Sequence, residues 1–247
     1  MSEHIVPHGE ISRGVDPHNG VSQRWTQVGA GSVIHQTVII HPGVVIGECS
    51  TIEPFCELGS QDGTPLKIGK GAIIRSHTTI YGGSQYGDGL ETGHHVLLRS
   101  DNAVGENLRI GSYSSLEGGA WIGDYVRIHG RCEMTRGILH DFARVYGGTY
   151  ITDNRRPPSY ENELCILDAG SVVMMGCILV AGVRIGVGSV VGAGIVVTED
   201  VPDGHILTHK GVKKIRPDNF WPPRYRDDYP EAAQPRLDEL HARMLAL

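Results

Sequence analysis

Residues 68–98 read IGKGAIIRSHTTIYGGSQYGDGLETGHHVLL, and stepping by six from Ile68 lands on Ile74, Ile80, Tyr86, Thr92 and Leu98. The same step holds on both sides of this stretch. Upstream it runs Val28, Ile34, Ile40, Ile46, Ile52 and Leu58, with a four-residue slip at the turn over 61–65. Downstream it runs Val104, Ile110, Leu116, Ile122, Ile128, Met134, His140 and Tyr146, and after an interruption Leu167, Val173, Leu179, Ile185, Val191 and Val197. Twenty-two of these 26 positions are Ile, Leu, Val or Met. A fixed short period of this kind is the mark of a solenoid, and an amphipathic helix or an ordinary alternating strand would not produce it.

The residue after the aliphatic is often glycine, as at Gly29, Gly47, Gly69, Gly87 and Gly93. The residue four after it is usually small, as at Ser50, Cys56, Ala72, Thr78, Ser84, Cys132 and Cys177. A large and then a small residue fit two inward sites in a short strand and its corner, with glycine relieving the tight turn. Composition agrees: 247 residues hold 34 glycines but only three Phe, nine Tyr and three Trp, and Val and Ile outnumber Leu. These are strand and turn residues, which excludes an all-helical chain.

The pattern resembles the hexapeptide-repeat family. That resemblance implies an all-β fold, a left-handed parallel β-helix with three short strands per coil, and here a mid-chain loop and a short C-terminal helix. The expected organisation is a lead-in over 1–27, a β-helix catalytic domain over 28–204 with a loop insertion at 149–164, and an arm with a helix over 205–247. Proline, aromatic and charged residues over 217–234 read as an extended arm. Leu237, Leu240, Met244 and Leu247 after Pro235 recur at helical spacing, which suits docking on a core rather than a membrane.

The net charge of −6, with both signs mixed along the chain, offers no basic stripe for nucleic acid or an anionic membrane. The polar stretch over 1–14 lacks the apolar core of a signal peptide, and no run of about 18 apolar residues occurs, so a soluble cytoplasmic protein is the expectation. Five cysteines without paired CxxC spacing argue for reduced, structural thiols rather than disulfides or a zinc site.

Of 13 histidines most are scattered, but His77 and His95 stand 18 residues apart, on the same site of adjacent coils, with His94 beside His95. His129 follows further on, and His140 falls on an inward position as an interior or corner residue. Tyr86, Thr92, the histidines and the loop break the repeat and so mark where to look for function. In the loop, Arg155 and Arg156 ahead of two prolines could hold phosphates.

The text around Thr92-Gly93-His94 and Arg99, with Thr152-Asp153-Asn154, Pro157, Pro158 and Val196 to Pro202, resembles a branch of the family that acylates amino groups of nucleotide-linked sugars. His95 stands where that branch commonly has asparagine. The resemblance implies a homotrimer and transfer from a coenzyme A thioester, acetyl-CoA foremost, to a nucleotide-linked amino sugar, with no metal. A histidine suits removal of the acceptor's proton near neutral pH. His94 is the candidate base, or the group that orients an already neutral amine, with His95 beside it. Glu117, or Asp101 and Asn102, could hold the amine or His94. His77, Arg99, Asn102, Arg155 and Arg156 are the candidate substrate contacts. Coenzyme A is expected along the late coils at Gly176, Ala181, Gly182, Ala193 and Gly194, with Lys210, Lys213 and Lys214 at its phosphates. Two alternatives stay open on the same fold: a zinc hydratase resembling the γ-type carbonic anhydrases, using His77, His94 or His95, and His129, and a non-catalytic scaffold subunit.

Overall fold

The computed structural model describes residues 26–156 and 162–247. Most of the expected lead-in, and Pro157 and Pro158 of the loop, lie outside the described residues. The chain divides into two compact units, Met1–Ala120 and Trp121–Leu247.

In the first unit three parallel ladders rise together. One joins Gln27–Val28, Val44–Ile46, Leu66–Ile68, Ser84–Tyr86 and Ala103–Val104; the second joins Val33–Ile34, Thr51–Ile52, Ile73–Ile74, Glu91–Thr92 and Arg109–Ile110. The third joins Ile39–Ile40, Glu57–Leu58, Thr79–Ile80, Leu97–Leu98 and Ser115–Leu116. Each coil visits the ladders in turn, so like residues stack: Ile46 on Ile68, Leu58 on Ile80, Leu98 on Leu116. Apart from the half-buried Val28 and Ile40 of the first coil, the inward aliphatics are buried, each contributing about 1.5–3 kcal/mol. The small inward hydroxyls are satisfied within the coil, as where Ser50 Oγ donates to the Gly47 carbonyl at 3.0 Å. Tyr86 and Thr92, which break the aliphatic rule, are themselves inside: both are buried, and Thr92 Oγ1 accepts from the Arg75 backbone N–H at 3.0 Å.

The glycine after the aliphatic has a different cause from the turn relief expected. A Cβ on Gly47 would lie 2.5 Å from the Gly69 carbonyl carbon of the next coil, so only hydrogen fits between the stacked backbones. Positive φ falls two residues later, at Gly31, Cys49, Gly71, Gly89 and Asn107.

The second unit repeats the three ladders, starting from Trp121–Ile122, Arg127–Ile128 and Glu133–Met134. Its first turn takes one residue fewer than 18. Trp121 pairs with Ile138 and Ile122 with Leu139, so Leu139 and Val145 occupy the buried inward sites. His140 and Tyr146, assigned inward by the uninterrupted step of six, are instead the outward residues that follow. Tyr150–Ile151 is a strand of the third ladder and Thr149 is buried, so the excursion begins after Ile151 rather than at Thr149. The solenoid also runs past residue 204: His205–Thr208 joins the second ladder and then folds back antiparallel onto Gly211–Lys214.

The arm is not extended. It makes successive 3-10 turns at Pro217–Asn219, Pro222–Arg224, Arg226–Asp228 and Glu231–Ala233 before helix α1 (Gln234–Leu245). Phe220, Trp221, Tyr229, Leu237, Leu240 and Met244 pack on Tyr125, Phe142, Val172 and Val187 of the same unit. Leu247 lies beyond the helix and is exposed. Among the described residues no helix is long and apolar enough to cross a membrane.

Candidate active site

In the first unit each strand of the second ladder ends in a corner, and equivalent corner residues stack from coil to coil. Phe55, His77, His95 and Tyr113 all adopt left-handed backbone, with φ of 61°, 62°, 56° and 61°. That conformation turns their rings into one outward column, with centroids 5.1, 4.5 and 5.0 Å apart in sequence order. Ring stacking of this kind offsets some of the strain of positive φ at non-glycine residues.

One residue earlier at each corner stand Ser76, His94 and Ser112. Gly93 is required here, because a Cβ would meet Ser112 Oγ at 2.5 Å, and that oxygen accepts the His94 backbone N–H at 2.9 Å. Thr92 is held inside and Gly93 permits the close approach, which leaves the His94 ring projecting. His94 Nδ1 lies 2.9 Å from Ser76 Oγ and 3.8 Å from Glu53 Oε2, while Nε2 has no partner among the described residues. Glu53 Oε2 also accepts the Ser76 backbone N–H at 3.1 Å. Arg75 clamps Glu53 at 3.4 Å and Glu91 at 2.9 Å, and Arg109 reaches Glu91 at 3.2 Å. The result is a half-exposed imidazole with one nitrogen fixed by a hydroxyl and a carboxylate, and the other open.

The structure brings His77, His94 and His95 to one edge, but not the other residues expected beside them. Arg99 and Glu117 pair with each other at 3.2 Å on the corner after the third ladder. Asn102, at that same corner, is buried. Its Nδ2 donates to the Arg99 carbonyl at 2.6 Å and its Oδ1 accepts the Ala120 N–H at 3.0 Å, so it stitches coils together. The groups that do hold His94, Ser76 and Glu53, were missed. The signal was present: Ser76 precedes His94 by the coil length, and Glu53 precedes Arg75 by a coil plus the four-residue slip.

In the second unit the expected coenzyme A residues fall on two corners and a hairpin. Gly176 and Gly194 are left-handed corner positions, with the exposed Ala193 beside Gly194. Ala181 and Gly182 lie at the other corner. There Arg155 donates to the Ala181 carbonyl from Nε at 3.1 Å and Nη2 at 2.9 Å, and it stands 3.9 Å from Glu163. Arg155 thus anchors the loop, while Arg156 is exposed. Lys210, Lys213 and Lys214 are exposed on the hairpin; Lys214 Nζ donates to the Leu247 backbone oxygen, and neither Lys210 nor Lys213 has an ion-pair partner among the described residues. Also among the described residues, no group of three or more His, Cys, Asp or Glu side chains is placed to hold a metal ion.

A six-residue repeat wound into three parallel ladders defines a hexapeptide-repeat β-helix, and that is the fold of this chain. It is 29% identical over 203 residues to the bifunctional protein GlmU of Nitratidesulfovibrio vulgaris, a match covering 73% of this chain and 42% of the relative. The chain therefore spans less than half the length of that curated relative. Among solved structures it is similar to a UDP-N-acetylglucosamine acyltransferase from Campylobacter jejuni, with 16% identity, 85% and 82% of the two chains covered, and a TM-score of 0.43. It is also similar to AntD, an N-acyltransferase from Bacillus cereus in complex with dTDP-4-amino-4,6-dideoxyglucose and coenzyme A, with 18% identity, 82% and 91% covered, and a TM-score of 0.32. No family model matches the chain.

Proposed function

We propose that the protein is an acyltransferase that moves an acyl group, acetyl foremost, from coenzyme A to the amino group of a nucleotide-linked sugar. The carrying observation is His94, its Nδ1 fixed on Ser76 and Glu53 and its Nε2 open at the end of a Thr-Gly-His turn. With Nδ1–H donated to Ser76 Oγ, Nε2 presents its lone pair outward, the tautomer a general base requires. Nε2 takes the proton of the attacking amine, and the nearby Glu53 carboxylate stabilises the imidazolium so formed. The proton then passes to the sulfur that leaves.

The coenzyme A thioester supplies the activated acyl group. Lys210 and Lys213, cations with no carboxylate partner among the described residues, suit its phosphates. The reading extends, as the resemblance implies, to a homotrimer. It is tested by following thiol release from acetyl-CoA with a panel of nucleotide-linked amino sugars, in the wild type and in His94→Ala. Turnover that depends on an amino sugar and falls about 100-fold in the variant supports it; unchanged turnover in His94→Ala removes His94 as the base.

A further inference from the structure

In the first unit the corner after the second ladder is built differently from the other two. At their left-handed positions those corners carry Gly71, Gly89 and Asn107, and Gly83, Asp101 and Gly119, residues that suit this backbone. The His94 corner places Phe55, His77, His95 and Tyr113 there instead, rings for which positive φ is strained. Backbone strain gathers at ligand-binding positions. Burial does not account for the rings, because Tyr113 at 62% and Phe55 at 59% are the most exposed large apolar side chains among the described residues. Exposed rings in one row mark a contact surface.

One end of the row is open. The position one coil before Phe55 is Thr37, which carries no ring; its hydroxyl accepts the Phe55 N–H at 3.0 Å and lies 3.0 Å from His35 Nδ1. Phe55 thus stacks on His77 by one face and has no ring on the other among the described residues. Two centroid steps, 5.1 and 4.5 Å, lead from Phe55 past His77 to His95, beside His94. Along that path the ring nitrogens of His77 and His95 are exposed and have no hydrogen-bond partner among the described residues. Glu53 and Glu91, the carboxylates on this side, are paired with Arg75 and Arg109, so neither is left bare to repel an anion.

An open aromatic face, free imidazole donors and a candidate base in sequence match the parts of one molecule. We propose that Phe55 is the stacking platform for the base of a nucleoside diphosphate, with His77 and His95 donating ring N–H groups to its phosphates and the attached amino sugar reaching His94 Nε2. A ribose and two phosphates separate base from sugar, which places the base at the Phe55 end rather than on Tyr113, a single step from His95. This assignment rests on the acceptor half of the acyl-transfer reading.

Titration calorimetry on the intact chain tests it with UDP, dTDP and GDP, and with the monophosphate of the tightest of these against ribose 5-phosphate. The nucleoside monophosphate is expected to bind about 10-fold or more tightly than ribose 5-phosphate, the order that base–aromatic stacking supplies. Phe55→Asn removes the ring yet suits the left-handed backbone, as Asn107 does at φ of 56°. It is expected to keep the unfolding midpoint while weakening the nucleoside diphosphate about 10-fold or more, and Phe55→Trp is expected to retain binding. His77→Phe keeps the stack without the ring donors and is expected to weaken the diphosphate several-fold; unchanged affinity there removes His77 as a phosphate contact. Unchanged affinity in Phe55→Asn, or ribose 5-phosphate binding as tightly as the nucleotide, overturns the Phe55 assignment and leaves the acceptor reading standing. No binding of any of the three diphosphates overturns both.

Discussion

His94 Nδ1 and Ser76 Oγ meet at 2.9 Å across one coil of the first unit, although 18 residues of chain separate them. Both are corner residues following strands of the second ladder, and they stack because the coil between them takes 18 residues, as the pairing of Glu91 with Ile73 shows. A hydroxyl at this place holds the orientation of the ring beside the Glu53 carboxylate, so what it does to catalysis differs from what it does to folding. Ser76→Ala is expected to lower kcat about 3- to 10-fold with KM and the unfolding midpoint unchanged, whereas His94→Ala lowers kcat about 100-fold. Steady-state kinetics beside urea unfolding separates the two; a fall in stability that matches the loss of activity in Ser76→Ala would make the serine merely structural.

Two glycines of neighbouring type should respond differently to alanine. At Gly47 a Cβ meets the backbone of the next coil at 2.5 Å, while at Gly71 nothing lies within 4 Å and only φ of +64° opposes the change. Gly71→Ala is expected to cost about 1–2 kcal/mol from backbone strain. Gly47→Ala is expected to cost about 3 kcal/mol or more, because two coils must separate. Urea midpoints measure both, and equal costs would refute the close-approach explanation.

Leu237 of α1 is fully buried against the second unit. Leu237→Ala is expected to destabilise that unit by about 2–5 kcal/mol. Chemical unfolding followed by tryptophan fluorescence reads this, and a loss below about 1 kcal/mol would mean the helix adds little to the unit.

His129 stacks on Tyr146 at 4.3 Å, and its pKa is pushed below the usual histidine value, first by burial and then by the nearby Arg144, with Asp228 opposing. The unfolded chain therefore binds the proton more readily than the folded one. The associated stability is present above the unfolded pKa, about 6.5, and is lost as pH falls through the lowered folded value. His129→Phe keeps the ring and is expected to lessen the drop in stability between about pH 8 and pH 5. An identical drop in both proteins would show that His129 does not carry it.

Burial raises the Cys56 and Cys165 thiols to about 11 and pushes Cys132 and Cys177 up as well, while Cys49 is exposed. Iodoacetamide near pH 8 is expected to alkylate Cys49 alone in the native protein, with the other four labelled only on unfolding. Peptide mass mapping decides this, and early labelling of Cys165 would contradict the burial described.

The repeat was legible because it is local: a side chain's inward or outward direction follows from its place in a six-residue rung. That is why Ile68 to Leu98 and Leu167 to Val197 fall where the step of six puts them. The same reading failed at one point. From Met134 the chain takes five residues, not six, to the next inward site, so Leu139 and Val145 are buried while His140 and Tyr146 face out. The aliphatics at 139, 145 and 151 carried that signal, since a shift of one residue restores them to register.

By itself, then, the sequence determined the parallel solenoid, its inward residues, the helix at its end and the histidine corner. Only the tertiary structure decided what holds His94, that Asn102 and Arg155 are engaged in binding coil to coil and loop to coil, and that the arm folds into turns around a buried arginine. The physical reason is distance along the chain. Hydrophobic period is set within a few residues, whereas Glu53 to His94, Arg155 to Ala181 and Arg144 to Asp228 depend on how many residues each intervening coil consumes.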